Sequence, residues 1–266
     1  MGAGMKYGPI MERIDKHYEA AIAHYGENRV FGVFLYGSQN YGTDTSDSDV
    51  DTKCILVPNI RDLAIKPLEV KHLNVDGEVC ECMTIMHMVE NWKKQNINFI
   101  EIMFTPYFKV NPNYADFWLM DYDFYPETGF AEYALGEDKC ERVARYDMRK
   151  AVYSMAYQAK HTLKQDPTDK KKIMNAARIA LSLMLLTETD NSYKQVIKAT
   201  PEIAGIRTGE TELPEDYAEK ITRYFDEMIA RADEGEWAPD KEKQKEVDCA
   251  LNDFILDLID RRITLM

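Results

Sequence analysis

The fold is decided by Val33-Phe34-Leu35-Tyr36-Gly37-Ser38, which is followed after a ten-residue polar segment by Asp49-Val50-Asp51. The apolar run predicts a strand that stops at the Gly-Ser pair, and the two aspartates open a second apolar run. Because successive side chains of a strand point to opposite faces, Asp49 and Asp51 are expected on one face, with their Cα atoms roughly 6.5–7 Å apart. That separation suits two carboxylates that bind the same pair of divalent cations, which typically lie about 3.5–4 Å apart. The Gly-Ser turn adds N–H groups and a hydroxyl, the usual ligands of phosphate oxygens.

Two well-known sites with similar residues are excluded. The segment from Asp47 to Asp51 matches the opening of an EF-hand calcium loop, but the sixth position is Thr52 instead of glycine and the twelfth is Pro58 instead of glutamate. A P-loop is excluded because no Gly-Lys-Ser/Thr follows Gly37. A solvated turn remains the alternative for the acidic loop taken alone.

The charge of the chain is unevenly distributed. The 266 residues carry a net charge of −13, which argues against strong binding to long duplex nucleic acid, since that affinity comes mostly from neutralising phosphates. Residues 139–198 nevertheless contain thirteen Lys and Arg against six Asp and Glu, a local net charge of +7. This basic segment indicates either a surface for an anionic ligand or a solvated helix face.

The cysteines and the apolar runs bear on the compartment. The five cysteines are an odd number, and none of them forms a Cys-x-x-Cys pair, so we expect a reducing cytoplasm. No run approaches the ~18 apolar residues that span a bilayer, and the N-terminus lacks the apolar core of a signal peptide. We therefore expect no membrane partner.

Periodicity predicts a mixed domain followed by a helical one. The predicted strands are Arg29 to Tyr36, Val50 to Val57, Leu68 to Leu73 and Gly77 to Ile85, with a hairpin turn from Asn74 to Gly77. The predicted helices are Ile10 to Tyr25, Met86 to Gln95, Ile97 to Phe104, Glu141 to Lys164, Lys171 to Thr187, Tyr217 to Asp233 and Asp240 to Arg262, with a loop from Pro201 to Pro214. The expected fold is α+β, a small mixed β-sheet with flanking helices in residues 1–120 and an all-helical C-terminal domain in residues 121–266.

Glu81 is the candidate for a third carboxylate. It lies among apolar residues in the strand that follows the hairpin turn, where an unpaired carboxylate is costly unless it meets a cation or a donor. Two-metal phosphoryl-transfer sites generally use such a group on a neighbouring strand. The alternative is a charge on the open face of an edge strand. Glu78, nearer the turn, is expected in solvent.

These motifs resemble a known superfamily. The Gly37-Ser38 pair, the ten-residue gap, Asp49-Val50-Asp51 and Glu81 on a later strand resemble the nucleotidyltransferase superfamily related to DNA polymerase β. The stretch from Glu81 to Phe104 is further similar to the predicted nucleotidyltransferases of bacteria and their phages. Those proteins carry Lys, His and Arg on one face of a helix, and Lys171, Asn175 and Arg178 align with them at i, i+4 and i+7. Asn175 departs from the family pattern at the histidine.

The resemblance implies a metal-dependent mechanism. Ser38, with the backbone of Gly37, would hold the β- and γ-phosphates of a nucleoside triphosphate, NTP or dNTP. Asp49, Asp51 and Glu81 would coordinate two Mg²⁺ ions, or Mn²⁺ in their place. Lys53 would either contact the phosphates or form a structural ion pair. Contacts from the helical domain would come from Lys171 and Arg178, together with Arg145 and Arg149.

The implied activity is the transfer of a nucleoside monophosphate from ATP or another triphosphate to a hydroxyl, with release of pyrophosphate. The acceptor stays open between a small molecule, a short oligonucleotide and a protein. Two alternatives are retained: an antitoxin-like enzyme that adenylylates a protein, and a non-catalytic nucleotide-binding module.

Overall fold

The structure is a computed structural model that describes residues 3–65, 68–115, 137–189, 191, 193–196 and 198–265. It is 63% helical and 12% strand, with a mixed sheet, flanking helices and a helical C-terminal part, so the predicted fold class is confirmed. The predicted boundary at residue 120 lies outside the described residues.

The described strands form one five-stranded sheet in the order β3-β4-β2-β1-β5. Their bounds are β1 Val30–Tyr36, β2 Asp51–Leu56, β3 Lys71–Val75, β4 Glu78–Thr84 and β5 Phe108–Val110. Strand β1 pairs antiparallel with β2 and β5, β2 pairs parallel with β4, and β3 pairs antiparallel with β4. The turn between β3 and β4 is a two-residue hairpin in which Asp76 and Gly77 both have positive φ, as the sequence predicted.

The helices flank the sheet and then pack on one another. Those before residue 116 are α1 Ala3–Tyr25, α2 Ser38–Tyr41, α3 Ile60–Ala64, α4 Ile85–Lys93, α5 Ile97–Ile100 and α6 Pro112–Ala115. Those after residue 136 are α7 Glu137–Ala144, α8 Met148–Gln165, α9 Lys170–Glu188, α10 Tyr193–Val196, α11 Pro201–Thr208, α12 Tyr217–Asp233 and α13 Lys241–Thr264. Helix α8 packs against α9 and α12, and α9 also packs against α11. None of the described helices is long and apolar enough to cross a membrane.

The sheet is covered on both faces, which explains why the central strand β1 is almost wholly apolar. Val33, Leu35 and Cys54 pack against α1 in one cluster of buried side chains. Phe34 and Ile55 belong to a second cluster, which continues through α4 into the C-terminal helices. Because side chains alternate along a strand, Asp51 and Lys53 lie on the same face as Ile55. That face is turned toward α4 and the C-terminal helices and away from α1.

Several predicted bounds are corrected. The predicted helix from Glu141 to Lys164 is two helices, since the chain turns at residues 145–147 and Asp147 caps α8 by accepting the N–H of Lys150. The segment from Pro201 to Pro214 was predicted as a loop, but α11 begins there, with Thr200 as N-cap and a proline in its first turn. Strand β2 begins at Asp51, one residue later than predicted, so Asp49 precedes the strand.

Trp92 joins α4 to the chain that follows it. Its side chain is 1% exposed, and its indole Nε1 donates to the carbonyl of Phe99 at 2.9 Å. We expect Trp92→Ala to lower the free energy of unfolding by about 3–5 kcal/mol, because it leaves a large cavity and an unpaired carbonyl. Urea unfolding followed by circular dichroism measures this. Leu256→Ala, at a site that is 57% exposed, serves as the control and should stay within about 0.5 kcal/mol of the parent.

Candidate functional site

A cavity of about 210 Å³ lies between the end of the sheet and the helices α8 and α9. The sheet side contributes Gly37, Ser38 and Asp51, and α9 contributes Lys171 and Arg178. The remaining lining residues are Tyr36, Tyr41, Asn98, Gln158, Ala159, Thr162, Met174, Asn175, Ala176, Ile179 and Arg207. Five of the residues predicted for the site therefore meet in one cavity, although they come from stretches more than 100 residues apart.

Gly37 begins the turn between β1 and α2. Its φ of 88° and ψ of −155° belong to a region that only glycine adopts readily, and it caps the short helix α2. A Cβ atom placed on it would lie 3.4 Å from Oδ2 of Asp51. The Gly37 N–H donates to Oε1 of Glu101 at 3.3 Å. Glycine is thus required here by the backbone conformation, and the turn lies within contact distance of Asp51.

Asp51 is half-buried at the start of β2, opposite Tyr36. Burial raises the pKa of Asp51, and the charge of Asp49 raises it further, against the opposing charges of Lys171, Lys53 and His17. Asp49 is exposed and lines a different cavity of about 510 Å³, together with residues of α1 and of the hairpin turn. The two aspartates are therefore electrostatic neighbours that line different cavities, and the expectation that they share one face of a strand is wrong because Asp49 lies before β2.

Lys53 and Glu81 form an ion pair across the parallel strands β2 and β4. Lys53 is buried, and its Nζ lies 3.9 Å from the ring centroid of Tyr36 and 4.5 Å from that of Phe99. Of the two roles predicted for Lys53, the structure contains the ion pair. Lys53 therefore supplies the cation that was expected to compensate the carboxylate of Glu81.

The predicted metal ligands differ in how far they fit a cation. Within the described part of the chain, the carboxylates of Asp49 and Asp51 form no hydrogen bond or ion pair, and hard carboxylate oxygens are what Mg²⁺ prefers. Glu81, in contrast, is held by Lys53. Among the described residues, no group of three or more His, Cys, Asp or Glu side chains is placed to hold a metal ion. The triad of Asp49, Asp51 and Glu81 stays a prediction.

The wall opposite Asp51 is cationic. Arg178 is only 3% exposed, and its Cζ stacks 3.5 Å from the ring centroid of Tyr41. Its Nε and Nη1 are buried without a hydrogen-bond partner among the described residues. Lys171 lines the same wall and acts on the pKa of Asp51, and Arg207 of α11 donates from Nη1 to the carbonyl of Thr43 at 2.6 Å. Buried, unsatisfied guanidinium donors beside a cavity indicate a binding site for an anion.

Glu78 corrects a prediction, because it is 9% exposed and not in solvent. Its Oε1 accepts the N–H of Val50 at 2.8 Å, which fixes the backbone between Asp49 and Asp51. Arg13 of α1 neutralises it, with Nε donating to Oε2 at 2.8 Å, and His17 Nε2 lies 3.6 Å from the same oxygen. Glu78, the first residue of β4, is buried because the N–H of Val50 and the guanidinium of Arg13 supply its hydrogen-bond donors there.

The other predicted contacts lie elsewhere. Arg145 donates to the carbonyls of Leu186 and Asn191, and Arg149 lies over the ring of Tyr153. Neither lines the cavity. Sequence reasoning placed Glu78 in solvent and missed Glu101 and Arg207. A glutamate within the apolar run from Phe99 to Phe104 was the signal that could have found Glu101.

Comparison with protein-family models and with curated proteins yields no match for this chain.

We expect Glu78→Ala to lower the free energy of unfolding by about 1–3 kcal/mol, because the N–H of Val50 and the guanidinium of Arg13 lose their buried acceptor. Glu78→Gln should lose less, since its amide oxygen still accepts from Val50. Both are measured by urea unfolding. Asp76→Asn is the control: it removes an exposed ion pair with Lys16 on the adjoining turn and should change stability little. Equal losses for Glu78→Ala and Asp76→Asn would contradict the role of Glu78.

Proposed function

We propose that this protein is a metal-dependent nucleotidyltransferase that transfers a nucleoside monophosphate from an NTP or dNTP to a hydroxyl acceptor and releases pyrophosphate. One observation carries the proposal: the Gly37–Ser38 turn and the Asp51 carboxylate share a cavity with the cations Lys171, Arg178 and Arg207. A carboxylate for a cation and several donors for phosphate oxygens are the groups that phosphoryl transfer needs side by side.

The size and lining of the cavity support binding of the phosphate groups. At about 210 Å³ it is smaller than the roughly 300–1,000 Å³ of pockets that enclose whole ligands, so the phosphates fit inside and the nucleoside lies toward its mouth. The Ser38 hydroxyl and the guanidinium of Arg178 would donate to phosphate oxygens, while Lys171 would add a positive charge. These groups would neutralise charge on the leaving pyrophosphate.

Asp51, which lines the cavity, would hold a divalent cation, and Asp49, its electrostatic neighbour, is the candidate second ligand. When bound there, the metal would neutralise charge at the α-phosphate and favour deprotonation of the acceptor hydroxyl. The acceptor is a small molecule, a short oligonucleotide end or a protein hydroxyl.

The described cysteines are all free thiols, which supports a cytoplasmic location.

The activity is tested with α-labelled nucleotides, Mg²⁺ or Mn²⁺ and candidate acceptors, followed by separation of the products by size. We expect transfer of label by the parent and a loss of at least about 100-fold in Asp51→Asn, because the charge on the carboxylate is removed without changing its shape. A ladder of labelled products indicates an oligonucleotide acceptor, and a new small labelled product indicates a small-molecule acceptor. A labelled protein band indicates the alternative in which the enzyme adenylylates a protein.

Asp47→Asn is the matched control, since Asp47 is an exposed carboxylate of the same loop whose Oδ1 accepts from the neighbouring Ser46. It should retain the activity of the parent. Full activity in Asp51→Asn would show that the reaction does not use this site.

Lys171→Gln tests the cationic wall. We expect it to raise the KM for the triphosphate by about 10-fold or more, since one charged contact to phosphate is lost, with a smaller change in kcat. Steady-state kinetics at constant ionic strength measure this. Lys172→Gln removes the same charge from the next position of α9, which does not line the cavity, and should leave KM unchanged.

A further inference from the structure

Glu101 is a buried carboxylate directly beneath the Gly37 turn. It is 0% exposed, and its Oε1 accepts the N–H of Gly37 at 3.3 Å. Its other oxygen, Oε2, is buried without a hydrogen-bond partner among the described residues. A carboxylate in such a place is costly unless opposite charges lie close to it.

Arg178 supplies that charge from α9. Burial is the largest effect on Glu101 and raises its pKa to about 7, against a hydrogen bond from Tyr41 and the charge of the Arg178 guanidinium, which both lower it. Arg178 also keeps two buried nitrogens without hydrogen-bond partners within the described residues, and it lines the cavity. The buried Glu101 and Arg178 therefore interact electrostatically, while Nε and Nη1 of Arg178 make no hydrogen bond within the described residues.

We propose that Glu101 is a positioning residue of this cavity: it holds the Gly37–Ser38 turn through the N–H of Gly37 and balances the charge of the desolvated Arg178 guanidinium until an anion binds. The proposal rests on the proposed function for the nature of the anion, a triphosphate. Glu101 itself contacts no reacting group in this scheme.

Several titratable groups face Glu101, which together with Asp51 of the cavity supplies negative charge near Arg178. From the packed elements these groups are Tyr36 of β1, Tyr41 of α2, Lys53 of β2, Arg178 of α9 and Tyr193 of α10. Lys53 is already paired with Glu81. An entering phosphate is thus attracted by Arg178 and repelled by ionised Glu101.

The sign of the pH dependence follows. Below a pH of about 7 the carboxyl of Glu101 is neutral and repels no anion, and above it the carboxylate is charged and weakens anion binding. Glu101→Gln is neutral at every pH, and its amide oxygen still accepts from Gly37. Glu101→Ala loses both the charge and the acceptor.

The test is calorimetric titration of the full-length protein with inorganic triphosphate, without divalent metal, from a pH of about 6 to about 8.5. We expect Glu101→Gln to match the parent at the acid end and to bind about tenfold more tightly at the alkaline end, where the parent alone carries the repelling charge. Protonation of triphosphate affects both proteins equally and cancels in their ratio. Glu101→Ala should bind more weakly than Glu101→Gln at every pH, because the turn has lost its acceptor.

Glu90→Gln, an exposed carboxylate of α4 near Lys94, is the control and should follow the parent throughout. A ratio between Glu101→Gln and the parent that does not change with pH would overturn the proposal, as would absence of triphosphate binding to the parent. If Glu101→Ala does not fold, the ratio for Glu101→Gln decides alone. If the ratio of the two affinities changes with pH as expected but no nucleotidyl transfer is found, the proposed function is refuted and the positioning role of Glu101 stands. If transfer is found but the ratio stays constant with pH, the positioning role is refuted and the proposed function stands.

Discussion

The antiparallel register that sets Tyr36 opposite Asp51 is the constraint on which the cavity depends. Gly37 follows Tyr36, so this register brings the turn against Asp51, where even a Cβ atom on Gly37 would lie 3.4 Å from the carboxylate. It also places Asp51 and Lys53 on the face of the sheet that is turned toward α4 and the C-terminal helices. A shift of one residue would turn both side chains toward α1 and separate the acidic group from the cations of α9.

Two buried glutamates hold the loop that connects β1 and β2, one at each end. Glu101 accepts the N–H of Gly37 where the loop begins, and Glu78 accepts the N–H of Val50 where it ends. Since a buried carboxylate needs compensation, each lies near an arginine from another part of the fold, Arg178 of α9 and Arg13 of α1. The N-terminal helix and the C-terminal helices therefore stabilise the same loop, and through it the same cavity.

The distribution of charge acquires a physical meaning in this arrangement. An acidic chain with a net charge of −13 concentrates cations in residues 139–198, and the helices α8 and α9 of that segment form one side of the cavity. Lys171 and Arg178 line the cavity together with Asp51, while Lys53 is neutralised by Glu81. The cavity thus has an acidic end and a cationic end, an arrangement that favours a ligand carrying both phosphate groups and a metal ion.

The sequence by itself determined four of the five described strands, the Gly-Ser turn, the hairpin at Asp76 and Gly77 and most of the helices, because apolar periodicity and turn residues act over a few neighbouring positions. It missed the three-residue edge strand β5, which is too short to show a period. It also indicated that Lys171 and Arg178 share a helix face. Only the tertiary structure decided the partners of the buried charges: Glu101 meets Gly37 across 64 residues, Glu78 meets Val50 across 28, and Lys53 takes Glu81. Those pairings depend on strand order and on how the helices pack, and neither leaves a local pattern. A buried glutamate and a solvated one look the same in sequence, since what separates them is the donor that another part of the chain brings.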